Sequence, residues 1–223
     1  MHPTSAGPPW TLVLPLKATD RGKSRIRIDP ALRKRLTLAM AVDTAQAAID
    51  ADAVGTVLLV VEDAADGEEL STVPGLRVHL TATRDLNDAI RDGLAVLGTQ
   101  GDPGRALGPV AALPCDLPSL TAGELDAALA ACRRHRLAVV ADRQGTGTTL
   151  LAASSAVGLA PRYGTGSLGR HLAAGAVPVE MPADSGLRRD VDLAADLAGV
   201  RGPRTASVLA GAAGRLCVAL GSP

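Results

Sequence analysis

The chain has 223 residues, enough for one α/β domain with its own core and short of two full domains. Its 23 basic and 23 acidic residues cancel, which removes the overall positive field that non-specific nucleic-acid binders rely on. One Trp, one Tyr and no Phe leave no platform for stacking bases, so single-strand binding is excluded too, and the core must be Leu, Val, Ile and Ala.

Cys115, Cys132 and Cys217 lie far apart with no C-x-x-C, so neither a disulfide framework nor a Cys-rich zinc site is readable, and a reducing cytoplasm is expected. Apolar stretches are broken by charge or Gly well before the roughly eighteen residues a membrane span needs. Met1 to Pro9 lacks a basic-then-apolar leader, so no export and no membrane partner are expected.

In chain order, residues 1–9 read as a disordered tail rich in Pro, and residues 10–223 as a single domain. Thr11 to Leu14 is an apolar run suited to a strand buried on both faces. Asp29-Pro30 supplies an N-cap and a proline at the first helical position, and Leu32, Leu36, Ala39, Met40 and Ala47 continue at helical spacing to about Asp50. Strand-like runs recur at Val54 to Val61, Leu76 to Leu80, Val110 to Leu113 and Leu137 to Ala141, with helical patterns at Asn87 to Leu97 and Ala122 to Arg134. Beyond Gly145 the pattern loosens into Gly-rich turns. A short helix near Ser167 to Ala174, a strand at Val177 to Glu180 and helical stretches at Leu193 to Ala198 and Thr205 to Leu220 are expected there. The alternation predicts an α/β fold, a mostly parallel central sheet flanked by helices. In such sheets ligands bind outside the carboxyl ends of the strands.

Five segments carry unusual residues. Lys17 to Arg25 follows the first strand and, extended to Arg35, holds eight basic residues against Asp20 and Asp29, a field suited to a triphosphate. Gly22-Lys23-Ser24 looks like the end of a Walker A loop, but Lys17 stands where that motif needs its first Gly, so a P-loop kinase is disfavoured. The plain alternative is a solvated basic face, the stronger reading for Arg33, Lys34 and Arg35. Asp116 ends the fourth strand-like run. Thr121 to Glu124 already forms a capping box for the next helix, which leaves Asp116 spare to bind Mg²⁺ carrying substrate phosphates, against an Asx-turn role.

The third segment, Asp142 to Thr149, interleaves two glycines with three threonines. It offers N–H groups and hydroxyls to an anion, or else makes a hairpin turn. Gly164 to Gly169 is formally G-x-G-x-x-G, yet a proline-containing loop precedes it instead of a strand. A dinucleotide-binding oxidoreductase is therefore disfavoured, while Ser167 and the helix N-terminus remain able to bind an anion. His171 reads as a surface helix residue. Finally, Asp190 and Asp192 share a face if extended, so one could complete a metal site with Asp116, unless Asp192 caps the following helix.

Taken in order, Leu12 to Lys17, Gly22 to Arg25, Leu86 to Ile90, Cys115 to Pro118, Asp142 to Thr149, Tyr163 to His171 and Leu187 to Asp192 resemble one family. It is the guanylyltransferases of coenzyme F-420 biosynthesis, which act on phosphoenolpyruvate or 2-phospho-L-lactate. The resemblance runs from Trp10 nearly to the end. It implies a nucleotide-diphospho-sugar-transferase-like, Rossmann-like three-layer fold, with Mg²⁺ held by Asp116 and one or both of Asp190 and Asp192. It further implies that Thr148, Gly164 and Ser167 bind the phosphorylated acid, that Lys17, Lys23 and Arg25 serve catalysis at the nucleotide phosphates, and that Asn87 lies near the nucleotide. The family's late motif usually continues Asp-x-Asp-Thr-Pro, and here Leu193 and Ala194 stand in place of the Thr-Pro pair.

The implied reaction is attack by a phosphate oxygen of the acid on the α-phosphorus of GTP, with release of pyrophosphate and hand-off of the product to a downstream deazaflavin transferase. Other nucleotide and acceptor pairs on the same fold, such as CTP with a pterin or sugar phosphate, and a lapsed nucleotide-binding module are the alternatives.

Overall fold

The computed structural model describes residues 7–19, 26, 28–100 and 107–212. Trp10–Leu16 forms β1, with Leu12, Val13 and Leu14 fully buried, as a strand covered on both faces requires. Asp29 accepts from the Leu32 N–H and Pro30 takes the first helical position, so α1 runs Pro30–Ile49 as its sequence predicts. β2 (Val54–Val61), α2 (Ala64–Leu70), β3 (Leu76–Leu80), α3 (Leu86–Gln100), β4 (Val110–Ala112), α4 (Ala122–Cys132) and β5 (Leu137–Ala141) follow. After them come β6 (Thr148–Ala153), α5 (Ser167–Ala173), β7 (Val177–Pro178) and α6 (Pro203–Gly211).

Among the described residues the sheet has seven strands in the order β3-β2-β1-β4-β6-β5-β7. All run parallel except β6, which pairs antiparallel with both β4 and β5. Side chains alternate between faces along each strand. Leu12, Leu14, Val57 and Leu59 pack with α1 and α4, whereas Val13, Leu58, Val60 and Val139 pack with Ile90 and Leu97 of α3. That is the expected three-layer α/β architecture. A third cluster, Ile26, Leu36, Met40, Val191 and Leu197, covers the outer side of α1 and ties the late segment of the chain to it.

Three expectations change. β6 replaces the Gly-rich turns expected after Gly145: all six of its residues are buried, so it is a central strand. The helix expected at Leu193 to Ala198 is a 3-10 turn, Ala194–Leu197, and the chain entering it is held by Asp196, whose carboxylate accepts from Asp192 N and Leu193 N. The last helix starts at Pro203 and the described part ends at Gly211; the remainder of the stretch to Leu220, like Met1 to Ala6 of the tail, lies outside the described residues.

Candidate active site

Strand order reverses between β1 and β4: the chain leaves β1 toward β2 and β3, then returns to the other side at β4. The crevice outside the carboxyl ends of those two strands is the natural ligand position. Lys17 leaves β1 exposed at that edge. The turn behind it is fixed, since buried Asp66 of α2 accepts from Thr19 N (3.1 Å) and Thr19 Oγ1 (2.8 Å). Lys34 also reaches Asp66, at 3.0 Å, so this cation anchors the turn instead of standing on a purely solvated face. Lys23 and Arg25 lie outside the described residues.

Across the crevice, β4 leads into Leu113, whose N–H donates to Val13 O, and then to half-buried Asp116. The next turn is pinned by Leu117 N donating to Thr44 Oγ1. The capping box of α4 is formed by Thr121 and Glu124 as expected, which leaves Asp116 no part in that cap. Its carbonyl oxygen accepts from Val191 N at 3.0 Å. This one bond ties the backbone between Asp190 and Asp192 to that of Asp116, while the Val191 side chain is buried against α1. Because Asp196 serves the 3-10 turn, the capping role weighed for Asp192 falls away. The segment carrying these aspartates is stitched down elsewhere as well. Arg188 donates to Asp142 O and Met181 O, and Arg143 pairs with Asp196 at 3.1 Å.

The Asp142 to Thr149 segment is a hairpin turn. The Asp142 carboxylate accepts from Thr146 N (2.9 Å) and Gly147 N (2.8 Å), so these N–H groups are spent internally and the anion-binding loop expected from them does not form. What the segment does offer is Thr148, buried at the start of β6. In the Gly164 to Gly169 segment, Gly164 and Gly166 have φ of +122° and +71°, values that side-chain-bearing residues rarely adopt. Ser167 N donates to Gly164 O and Leu168 N to Thr146 O, so these two N–H groups at the start of α5 are also occupied. Arg170 of α5 donates to Arg162 O. No strand precedes Gly164, and the oxidoreductase fingerprint is absent.

One residue differs from expectation. His171 is fully buried, not on the surface, bonded to Thr148 Oγ1 and to Arg162 N, each at 2.9 Å. Asn87 clamps the backbone of Tyr163: its Oδ1 accepts from Tyr163 N (2.6 Å) and its Nδ2 donates to Tyr163 O (3.3 Å). Tyr163 in turn donates its hydroxyl to Ala112 O. Burial pushes that hydroxyl's pKa upward, and the Asp116 charge adds to the effect.

A cleft of about 310 Å³ opens beside Lys17, lined by Ala18, Glu62, Asp63 and Thr81 to Arg84. These residues follow β1, β2 and β3, and sequence reading passed over them, although their position after apolar runs was the available signal. Among the described residues no three His, Cys, Asp or Glu side chains stand together as a ready-made metal site. Mg²⁺ asks less, since one or two carboxylates suffice when substrate phosphates complete its shell, and Asp116, Asp190 and Asp192 are the residues here that could supply them.

Residues 10–184 match the family profile described as "Guanylyl transferase CofC like". The chain belongs to this guanylyl transferase family. It is 42% identical to the phosphoenolpyruvate guanylyltransferase of Streptomyces coelicolor over 90% of this chain and 96% of that one. Its fold resembles that of a protein from Desulfovibrio desulfuricans described as a nucleotide-diphospho-sugar transferase, with a TM-score of 0.67, 15% identity and coverage of 93% and 96% of the two chains. A Mycobacterium tuberculosis protein solved as a manganese complex shares the fold with a TM-score of 0.56 and 18% identity, over 84% of this chain and 95% of that one. As a CofC-like guanylyl transferase, the chain is a nucleotidyltransferase.

Proposed function

We propose that the protein transfers GMP from GTP to the phosphate of phosphoenolpyruvate, in the presence of Mg²⁺, as a cytoplasmic step of coenzyme F-420 biosynthesis. One observation carries the reading. The Val191 N–H to Asp116 O bond ties the backbone between Asp190 and Asp192 to that of Asp116, just beyond β4 at the switch point of a guanylyltransferase fold, and supports these aspartates as the metal-binding candidates. The activity named for the Streptomyces coelicolor relative supports phosphoenolpyruvate over 2-phospho-L-lactate.

A phosphomonoester is already anionic at neutral pH, so it attacks the α-phosphorus without a protein nucleophile. The new bond joins the acid's phosphate oxygen to that phosphorus as the bond to the pyrophosphate oxygen breaks. Catalysis is then alignment and charge neutralisation. Lys17, Lys23 and Arg25 offset the charge on the α-phosphate and the leaving pyrophosphate. Thr148, Gly164 and Ser167 hold the acid. Asp116 with Asp190 or Asp192 would hold Mg²⁺, which when bound supplies further neutralisation of phosphate charge. The cleft beside Glu62 and Asp63 is large enough to seat a base, and the Asp63 carboxylate that borders it caps α2. Asn87 acts by fixing the Tyr163 to Gly164 loop. The GDP-linked acid passes to a downstream deazaflavin transferase.

The test is pyrophosphate release with each of the four nucleoside triphosphates, with phosphoenolpyruvate, with 2-phospho-L-lactate and with no acid, the downstream transferase added as a trap. Release confined to GTP and phosphoenolpyruvate, abolished by EDTA and restored by Mg²⁺, is expected. Release with CTP and another acceptor, or none with GTP from folded protein, would overturn the assignment.

A further inference from the structure

His171 and Ser167 stand one helical turn apart on the buried face of α5, and His171 meets Thr148 at the start of β6. The bonding around the imidazole fixes its tautomer. Arg162 N lies 2.9 Å from Nε2, and a backbone N–H can only donate, so Nε2 accepts and carries no proton. A neutral ring then holds its single proton on Nδ1. Burial, followed by the charges of Arg170 and Arg162, lowers the imidazole pKa to about 4, which keeps the ring neutral at ordinary pH. Nδ1 is 2.9 Å from Thr148 Oγ1, so the ring donates and the hydroxyl accepts. Tyr163 packs edge-on against the imidazole at 5.3 Å and is itself held by Asn87 and Ala112 O, which resists ring reorientation.

The consequence falls on the Thr148 proton. With an oxygen lone pair occupied by His171, the hydroxyl cannot turn its proton toward the ring, and it makes no other hydrogen bond among the described residues. We propose that His171 is a positioning residue for the acid substrate: its Nδ1–H orients the Thr148 hydroxyl so that the hydroxyl proton is given to an anionic oxygen of the phosphorylated acid. This rests on the proposed role of Thr148 in holding that acid. Without that donor the Thr148 hydroxyl is no longer held with its proton toward the acid and must be ordered on binding, so the loss should appear in KM for the acid.

The experiment measures steady-state kinetics with phosphoenolpyruvate varied at saturating GTP for Thr148→Val, His171→Gln, His171→Asn and the Thr148→Val/His171→Gln pair, with thermal unfolding confirming that each is folded. Asn presents an amide where Nδ1 stood and keeps a donor to Thr148; Gln presents its polar group nearer Nε2 and loses that donor. Thr148→Val and His171→Gln should each raise KM for phosphoenolpyruvate by about tenfold, the loss of one bond to a charged group, with KM for GTP unchanged. The pair should be no worse than Thr148→Val, and His171→Asn should restore KM to near the wild-type value. An unchanged KM in Thr148→Val would overturn the acid-binding role and this inference with it. A raised KM in Thr148→Val with an unchanged KM in folded His171→Gln, or an additive pair, would overturn the His171 role alone. Should the Gln variant not fold, imidazole ¹⁵N shifts of the wild-type protein decide. The Nδ1–H tautomer is expected, and the Nε2–H tautomer would overturn the proposal.

Discussion

Asp116 stood out in the sequence as a candidate because Thr121 to Glu124 supplied the cap of the next helix, and that capping box is present. The bond from Val191 N to its carbonyl was not legible, since it joins residues 75 apart in sequence through backbone atoms that every residue has. His171 was misread for a related reason: one His on a short helix gives no periodicity to show that its face is buried. At the residue scale Asp116→Ala should lower turnover by about a hundredfold or more, the size of effect seen when a group stabilising transition-state charge is removed. The side chain supports no cap, so circular dichroism should show an unchanged fold. A folded variant with near-wild-type pyrophosphate release would remove Asp116 from the mechanism.

Elements with strong caps were legible and those defined by partners were not. α1 and α4 carry Asp29-Pro30 and Thr121 to Glu124, and both begin where those signals stand. β6 was hidden because Thr148 to Ala153 is six residues beside a Gly-rich turn, and only its pairing with β4 and β5 makes it a strand. α2 was hidden by a Gly and three acids within seven residues. α6 depends on α1: buried Asp43 accepts from Arg204 N, Thr205 N and Thr205 Oγ1, supplying a cap that α6 lacks in its own sequence. Asp43→Ala should therefore cost about 2–3 kcal/mol and lower Tm by roughly 5–10 °C. An unchanged Tm would mean that α6 is held by packing alone. Gly186 makes a second element-level demand. A Cβ there would fall on the Ser119 carbonyl, while its N–H donates to Glu124 Oε1. Gly186→Ala should displace the turn that leads to Asp190 and Asp192, lowering both Tm and turnover, and a variant with wild-type values of both would show that the turn can shift freely.

For the whole molecule, alternation of strand and helix predicted a mostly parallel sheet, and the order of the family's motifs predicted the nucleotidyltransferase fold. The strand order could not be read, because nothing local distinguishes β4 beside β1 from β4 beside β3. The buried titratable groups make a global prediction of acid sensitivity. The His171 pKa falls from its ordinary 6.5 to about 4 in the folded protein. Between those values the unfolded chain binds more protons than the native one, so stability is fully present above about pH 6.5 and declines as pH falls toward 4. Glu124 adds to this at lower pH. Burial alone would raise its pKa, but the N–H groups of Gly186 and Thr121 and the hydroxyls of Thr121 and Ser185 overcome that and hold it below its ordinary 4.5. Its contribution is present above 4.5 and is lost as pH drops further. Tm measured from pH 7.5 downward should stay level to about 6.5, fall progressively to about 4, and fall again beyond. His171→Gln, with no imidazole to protonate, should start lower at pH 7.5 and lose less Tm across the upper window. A wild-type Tm that stays level from pH 7.5 to 4.5 would show that the imidazole protonates without cost, and that the packing of α5 on β6 does not depend on a neutral ring.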